Sequence, residues 1–249
     1  MITRRRHASA WQDRAPPGTL IVVIYDDRRD AGKKLAQSLK QFAGRTDVVV
    51  LALPRGGVPV AFEVAESLRA PLDVFVVRKL GVPGHEEYAM GAIASGGVVV
   101  LNDEAIQSLG ISPENIRSVA AREKDEILRR DRLYRGDRPP LDFRGKTVIL
   151  VDDGLATGST MHAAAQAVRQ QIPARLIVAI PVGAASSVQQ LHDVVDEVIC
   201  PSFPEPFRAV GLWYRDFGQT SDAEVRALLD QSASRWGANP DLLHAPAPR

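Results

Sequence analysis

The chain has 249 residues, with 31 Lys and Arg against 30 Asp and Glu and a formal charge of +1, so no global field is available to hold a polyanion and a dedicated nucleic-acid binder is disfavoured. Its 45% hydrophobic and 24% charged residues are the balance of a folded domain rather than a disordered chain. A single cysteine, Cys200, rules out an intramolecular disulfide and a multi-cysteine zinc site, and points to a reducing compartment such as the cytoplasm.

Residues 1–18 carry Arg4, Arg5 and Arg6 and end in Pro16-Pro17-Gly18 without apolar periodicity, which predicts a flexible leader. The apolar run Leu20–Tyr25 stops at Asp26-Asp27, well short of the roughly 18 apolar residues a membrane span needs. Ala31, Leu35, Ala36, Leu39 and Phe42 recur at three- and four-residue spacing and predict a helix over Asp30–Phe42. Val48–Leu53 is a continuous β-branched and aliphatic run, as in a strand buried on both faces, and it ends in Pro54-Arg55-Gly56-Gly57. A helix over Val58–Leu68 and a strand over Leu72–Val77 follow.

Gly81–Tyr88 reads as a Pro/Gly loop, and Ala89–Ala94 with Val98–Leu101 as a hairpin around Ser95-Gly96-Gly97. Pro113–Tyr134 is a long charged helix, read as a solvated surface element. Strands at Val148–Val151, Leu176–Ile180 and Val194–Cys200, with a helix at Met161–Gln170, complete the alternation. Five such runs alternating with helices predict an α/β fold with a mostly parallel sheet covered on both faces. The Ala/Pro-rich tail at 237–249 is expected to be mobile, leaving 19–236 as the folded domain.

The strongest chemical signal is the strand Val148–Val151 running into Asp152-Asp153-Gly154-Leu155-Ala156-Thr157-Gly158-Ser159-Thr160 and then a helix. A buried strand delivers two carboxylates to the carboxyl edge of the sheet, where open α/β folds bind ligands. The Thr-Gly-Ser-Thr loop brings backbone N–H groups and hydroxyls to a helix N-terminus, a cradle for phosphate. The plainer alternative is that Thr157 or Ser159 caps the helix and the acids form a polar strand end. Taken alone, Arg55-Gly56-Gly57 also reads as a tight turn and Arg78-Lys79 as a solvated strand end; a Rossmann reading fails because Arg55-Gly56-Gly57-Val58 is no Gly-x-Gly-x-x-Gly turn.

The segment from Val148 to Thr160 resembles the phosphoribosyl-pyrophosphate fingerprint of the type I phosphoribosyltransferases. Pro54-Arg55-Gly56-Gly57 resembles that family's pyrophosphate loop and Arg78-Lys79 its basic pair, while Asp26–Leu35 and Phe207–Phe217 resemble its uncharacterised "predicted phosphoribosyltransferase" branch. The resemblance implies a type I phosphoribosyltransferase-like fold: a five-stranded, mostly parallel sheet with helices on both faces, plus a small hood from about 81–103 and 203–218. It implies transfer of the 5-phosphoribosyl group of 5-phosphoribosyl 1-pyrophosphate to a nitrogen nucleophile such as a nucleobase, with release of pyrophosphate.

In that reading Leu155, Ala156, Thr157, Gly158, Ser159 and Thr160 bind the ribose 5-phosphate, and Asp152 and Asp153 bind the ribose hydroxyls and a bridging Mg²⁺. Arg55, Gly56, Gly57, Arg78 and Lys79 hold the pyrophosphate, and Val182 and Trp213 meet the acceptor. Glu87, beside Tyr88 in a mobile lid, is the candidate acid/base, with Glu86 second. Gly154 replaces the usual aliphatic residue and predicts a looser loop. Ala156 stands where 6-oxopurine enzymes place an aspartate, which tilts the acceptor towards adenine-like chemistry. The resemblance implies no nucleic-acid or membrane partner and is compatible with a homo-oligomer. A regulator that senses phosphoribosyl pyrophosphate or a nucleotide, with little or no transferase activity, is the alternative from another class.

Overall fold

The computed structural model describes residues 24–236, so the predicted leader at 1–18 and tail at 237–249 lie outside the described residues. The first helix, α1 (Arg28–Gln37), starts where the Asp27 carboxylate accepts the Asp30 N–H and turns its small and apolar face, Ala31, Leu35 and Ala36, inward. A short 3₁₀ turn at Lys40–Phe42 completes the predicted helical stretch. Then follow β1 (Val48–Ala52), α2 (Gly57–Leu68) and β2 (Leu72–Val74). A second group comprises β3 (Val77–Val82), β4 (His85–Ala94), β5 (Val99–Leu101), α3 (Asp103–Ser108) and α4 (Pro113–Arg135). The chain returns through β6 (Thr147–Val151), α5 (Ser159–Gln170), β7 (Arg175–Ala179), α6 (Ala185–Leu191), β8 (Glu197–Ile199) and α7 (Asp222–Trp236).

The five strands β2-β1-β6-β7-β8 form one parallel sheet, as the alternation predicts. All residues of β1 and β6 are buried because each face has a cover. Val48, Val50 and Ala52 pack with α1, α2 and α7, whereas Val49 and Leu51 pack with α5 and α6. That two-sided burial is why these strands read as continuous apolar runs rather than alternating ones. The predicted strand over Leu72–Val77 divides: its first half joins the parallel sheet, and Val77 opens the antiparallel sheet β3-β4-β5.

Two expectations are corrected. The stretch Gly81–Tyr88 is a hairpin, the outer ends of β3 and β4 joined at Pro83-Gly84, with the register slipping on either side of Gly81. Its exposed, charged residues His85, Glu86 and Glu87 gave no apolar alternation by which to recognise a strand. Nor is α4 merely solvated. Val119 and Ile127 enter the core, and Arg135 Nε sits 2.8 and 2.9 Å from the two Asp73 carboxylate oxygens on β2 while Nη2 donates to the Val74 carbonyl at 2.6 Å. Among the described residues no helix is long and apolar enough to cross a membrane.

Candidate functional site

Parallel pairing of β1 with β6, in register from Val48–Thr147 to Ala52–Val151, places their two following loops side by side at the carboxyl edge. One is Arg55-Gly56-Gly57, entered through a cis Pro54–Arg55 peptide, and the other is Asp152-Asp153. They touch. A methyl group on Gly56 would lie 2.1 Å from Asp153 Oδ2, and one on Gly57 2.8 Å from the Val151 carbonyl oxygen and 2.9 Å from Asp152 Cα. Neither glycine has a positive φ, so close approach to the acid pair, rather than backbone freedom, is what demands glycine there.

The Asp152 Oδ1 accepts the Asp153 N–H at 2.8 Å, and Asp153 Oδ2 accepts from Arg28 Nε at 2.8 Å. Burial together with the neighbouring Asp153 charge pushes the Asp152 carboxyl well above the usual carboxylate range. Burial also raises Asp153, and the Arg28 guanidinium opposes that rise. The Tyr214 hydroxyl donates to the Asp153 carbonyl, clamping the same residue from the distal segment.

After the acids the chain turns through Gly154 and Leu155 into the predicted phosphate loop. Leu155 is buried: its N–H donates to Val182 O at 3.0 Å and its carbonyl accepts from Ala184 N at 2.9 Å. Leu155 thus fastens the loop to the core, while Ala156, Thr157, Ser159 and Thr160 are exposed and Gly158 is half-buried. Gly158, at φ 77°, is the residue that caps α5, and no side chain bonds to the first helical N–H groups. Neither Thr157 nor Ser159 therefore satisfies the helix start, which leaves donors at its positive end for an anion. Ser187 Oγ donates to the Ala156 carbonyl at 2.5 Å and braces the loop from α6. A mixed polar and apolar cleft of about 490 Å³ opens beside Thr157, Gly158 and Ser159 towards β4 and β5.

Gly154 does not loosen the loop. It is buried, and a methyl group there would meet Val210 Cγ1 at 2.5 Å, so the aliphatic group expected at this point is supplied from the distal segment instead. That segment is bound to the start of the described chain through the Tyr25–Tyr214 bridge, with Arg215 N donating to Tyr25 O at 2.8 Å and Asp216 N to Asp26 O at 2.9 Å. The Tyr25–Asp26 and Tyr214–Asp216 segments thus lie together beside the acid pair.

Other predicted residues are placed elsewhere. Val182 is fully buried beside Tyr25, Ala31 and Tyr214, with its carbonyl already taken by Leu155, so it is a core residue. Trp213 stacks on Phe207 at 6.2 Å between centroids, and its indole N–H is buried without a hydrogen-bond partner. Arg78 and Lys79 lie within β3, not after a strand of the parallel sheet. Arg78 Nε is held 2.6 Å from Glu123 on α4, and Lys79 Nζ donates to the Glu87 carbonyl at 3.3 Å. The Glu87 carboxylate is exposed on β4, 3.7 Å from His85 Nδ1. Arg55 remains at the turn, 3.7 Å from Asp222. The residue missed from sequence is Arg28, which nothing in a linear reading ties to an aspartate 125 positions away.

Metal chemistry can be judged on donor sets. Among the described residues, no three His, Cys, Asp or Glu side chains converge on one point. Two adjacent carboxylates fit Mg²⁺, a hard ion commonly held by one or two carboxylates together with substrate phosphate oxygens.

Comparison with known proteins agrees with this geometry. Residues 24–212 match the family described as "Phosphoribosyl transferase domain". The Mycobacterium tuberculosis H37Rv protein named "Putative phosphoribosyl transferase Rv0571c" is 47% identical over 209 residues, covering 84% of this chain and 47% of its own; the CDC 1551 counterpart matches equally. The chain thus spans about half the length of these curated relatives. The crystal structure of TT1426 from Thermus thermophilus is 43% identical with a TM-score of 0.75, covering 84% of this chain and 98% of that one. With the strand-delivered acid pair, the loop that leads from it into α5 and this match in hand, the chain belongs to the type I phosphoribosyltransferase family, in its uncharacterised branch.

Proposed function

We propose that the protein transfers the 5-phosphoribosyl group of 5-phosphoribosyl 1-pyrophosphate to a nitrogen nucleophile, a nucleobase being the favoured acceptor. The observation that carries this reading is the contact of the Arg55-Gly56-Gly57 turn with Asp152-Asp153, the two halves that such a substrate would bridge. In the proposed complex the free N–H groups at the start of α5, with Thr157, Ser159 and Thr160, hold the 5-phosphate. Asp152 and Asp153 accept hydrogen bonds from the ribose hydroxyls and oppose the positive charge that builds on the ring. Arg55 and the main chain of Gly56-Gly57 hold the pyrophosphate.

The bond from C1 to the pyrophosphate oxygen breaks with its electron pair leaving on pyrophosphate, the acceptor nitrogen forms the new bond to C1, and the nitrogen's proton passes to a base. Glu87 is that base in this proposal, once β3 and β4 bring it over the site. Mg²⁺, when bound with the substrate, would offset pyrophosphate charge, with Asp152 and Asp153 as the residues that hold it. Ala156 offers no carboxylate to a 6-oxopurine, which favours an adenine-like base. The single buried thiol of Cys200 suits a cytoplasmic setting.

The test is pyrophosphate release, measured with Mg²⁺ and 5-phosphoribosyl 1-pyrophosphate against a panel of purine and pyrimidine bases. Release with one base supports the transferase and names its acceptor. Substrate binding without release from any base refutes the nucleobase assignment and favours the sensing regulator.

A further inference from the structure

The sequence predicts three cations at the pyrophosphate, yet Arg78 is paired with Glu123 and Lys79 is turned to the Glu87 carbonyl, leaving Arg55 at the turn. A polyanionic leaving group calls for more positive charge than one half-buried guanidinium supplies. Arg28 is the cation that the fold brings there. Its Nε lies 3.4 Å from where a Gly56 Cβ would stand, so the guanidinium is directly against the glycine turn. Its side chain is only 12% exposed and is held at three points. Nη1 donates to the Gly218 carbonyl at 2.6 Å, the guanidinium carbon stands 3.8 Å from the Phe217 ring centroid, and Nε donates to Asp153.

We propose that Arg28 is a pyrophosphate-binding residue that rests on Asp153 before substrate enters and then exchanges that carboxylate for a pyrophosphate oxygen. The inference rests on the phosphoribosyl reading above and adds to it the cation that the sequence did not reveal. Gly218 and Phe217 anchor the guanidinium, so only its carboxylate partner changes. The exchange releases Asp153 for the ribose hydroxyls at the moment they arrive. Arginine suits the task because its planar fork can keep the Gly218 bond while offering further N–H groups to phosphate oxygens; a lysine ammonium at this place cannot span both.

The experiment is calorimetric titration of inorganic pyrophosphate and, separately, of ribose 5-phosphate, both in EDTA, into the full chain and its variants. Arg28→Ala should weaken pyrophosphate binding about 10- to 100-fold, the scale of one or two lost charge-assisted hydrogen bonds, and leave ribose 5-phosphate within about twofold. Arg28→Lys should recover part of the loss. Asp153→Asn should tighten pyrophosphate binding, because the guanidinium is no longer claimed by a carboxylate. Opposite signs at the two partners are not produced by a merely structural ion pair.

Equal pyrophosphate affinity in Arg28→Ala, equal losses for both ligands, or weakened pyrophosphate binding in Asp153→Asn overturns the proposal. Should Arg28→Ala fail to fold, Phe217→Leu removes the stacking anchor and should weaken pyrophosphate selectively; an unchanged affinity there is equally contrary. Wild-type protein that binds ribose 5-phosphate but not pyrophosphate overturns this inference alone. Wild-type protein that binds neither removes the phosphoribosyl reading and this inference with it.

Discussion

Replacing Gly154 with alanine puts a methyl group where Val210 already sits. The added Cβ would be 2.5 Å from Val210 Cγ1 and 3.0 Å from Cγ2, with the next neighbour, the Val182 carbonyl oxygen, at 3.2 Å. Overpacking of this kind costs about 1–3 kcal/mol, and at about 2 kcal/mol the melting temperature of a chain this size falls by roughly 4–8 °C. Val210→Ala alone removes two partly buried methyl groups and costs about 1 kcal/mol. In the double variant the colliding γ-methyls are gone, so Gly154→Ala adds little to Val210→Ala, and the coupling energy is about 1–2 kcal/mol. Urea denaturation of the four proteins measures it as a double-mutant cycle. Additive effects, or a Gly154→Ala variant as stable as wild type, would show that the distal segment does not pack on the acid-pair loop as described.

Arg135→Met leaves Asp73 buried without its ion partner and should cost about 3–5 kcal/mol in urea denaturation; a loss below about 1 kcal/mol would return α4 to the role of a solvated helix. Burial pushes the Cys200 thiol up to about 12, so at about pH 8 it should resist a disulfide reagent in the native protein and react as one thiol in denaturant. Rapid native labelling would contradict that placement. Asp152 holds its proton more tightly folded than unfolded, so its stabilising effect is full below about pH 4 and is lost as pH rises through the raised folded pKa. Asp152→Asn should therefore gain melting temperature over wild type at about pH 7 and little at about pH 4; equal gains at both pH values would refute the burial argument.

The parallel sheet was legible because burial on both faces leaves an unbroken apolar record in Val48–Leu53 and Val148–Val151. The acid pair and the Thr157–Thr160 turn into α5 were legible for a related reason: each is a short contiguous string at a strand end. What the sequence hid is pairwise and distant. The join of Tyr25 to Tyr214, the closure of Val210 on Gly154 and the Arg28–Asp153 ion pair each unite residues far apart in the chain. Arg78 looked free to bind an anion because nothing local shows that Glu123 on a later helix claims it. Val182 looked like an acceptor contact from its place after a strand, but a strand end can also feed the core when the distal segment covers it.

In the proposed function, Asp152-Asp153 and the loop through Gly158 form one phosphoribosyl pyrophosphate site. Calorimetric titration of 5-phosphoribosyl 1-pyrophosphate with Mg²⁺ into wild type and into the Asp152→Asn, Asp153→Asn double variant tests it most directly. The proposed site requires micromolar binding by wild type and loss of at least about 100-fold in the double variant, with the fold intact by circular dichroism. Equal affinity in the two proteins, or no binding by wild type, would contradict it.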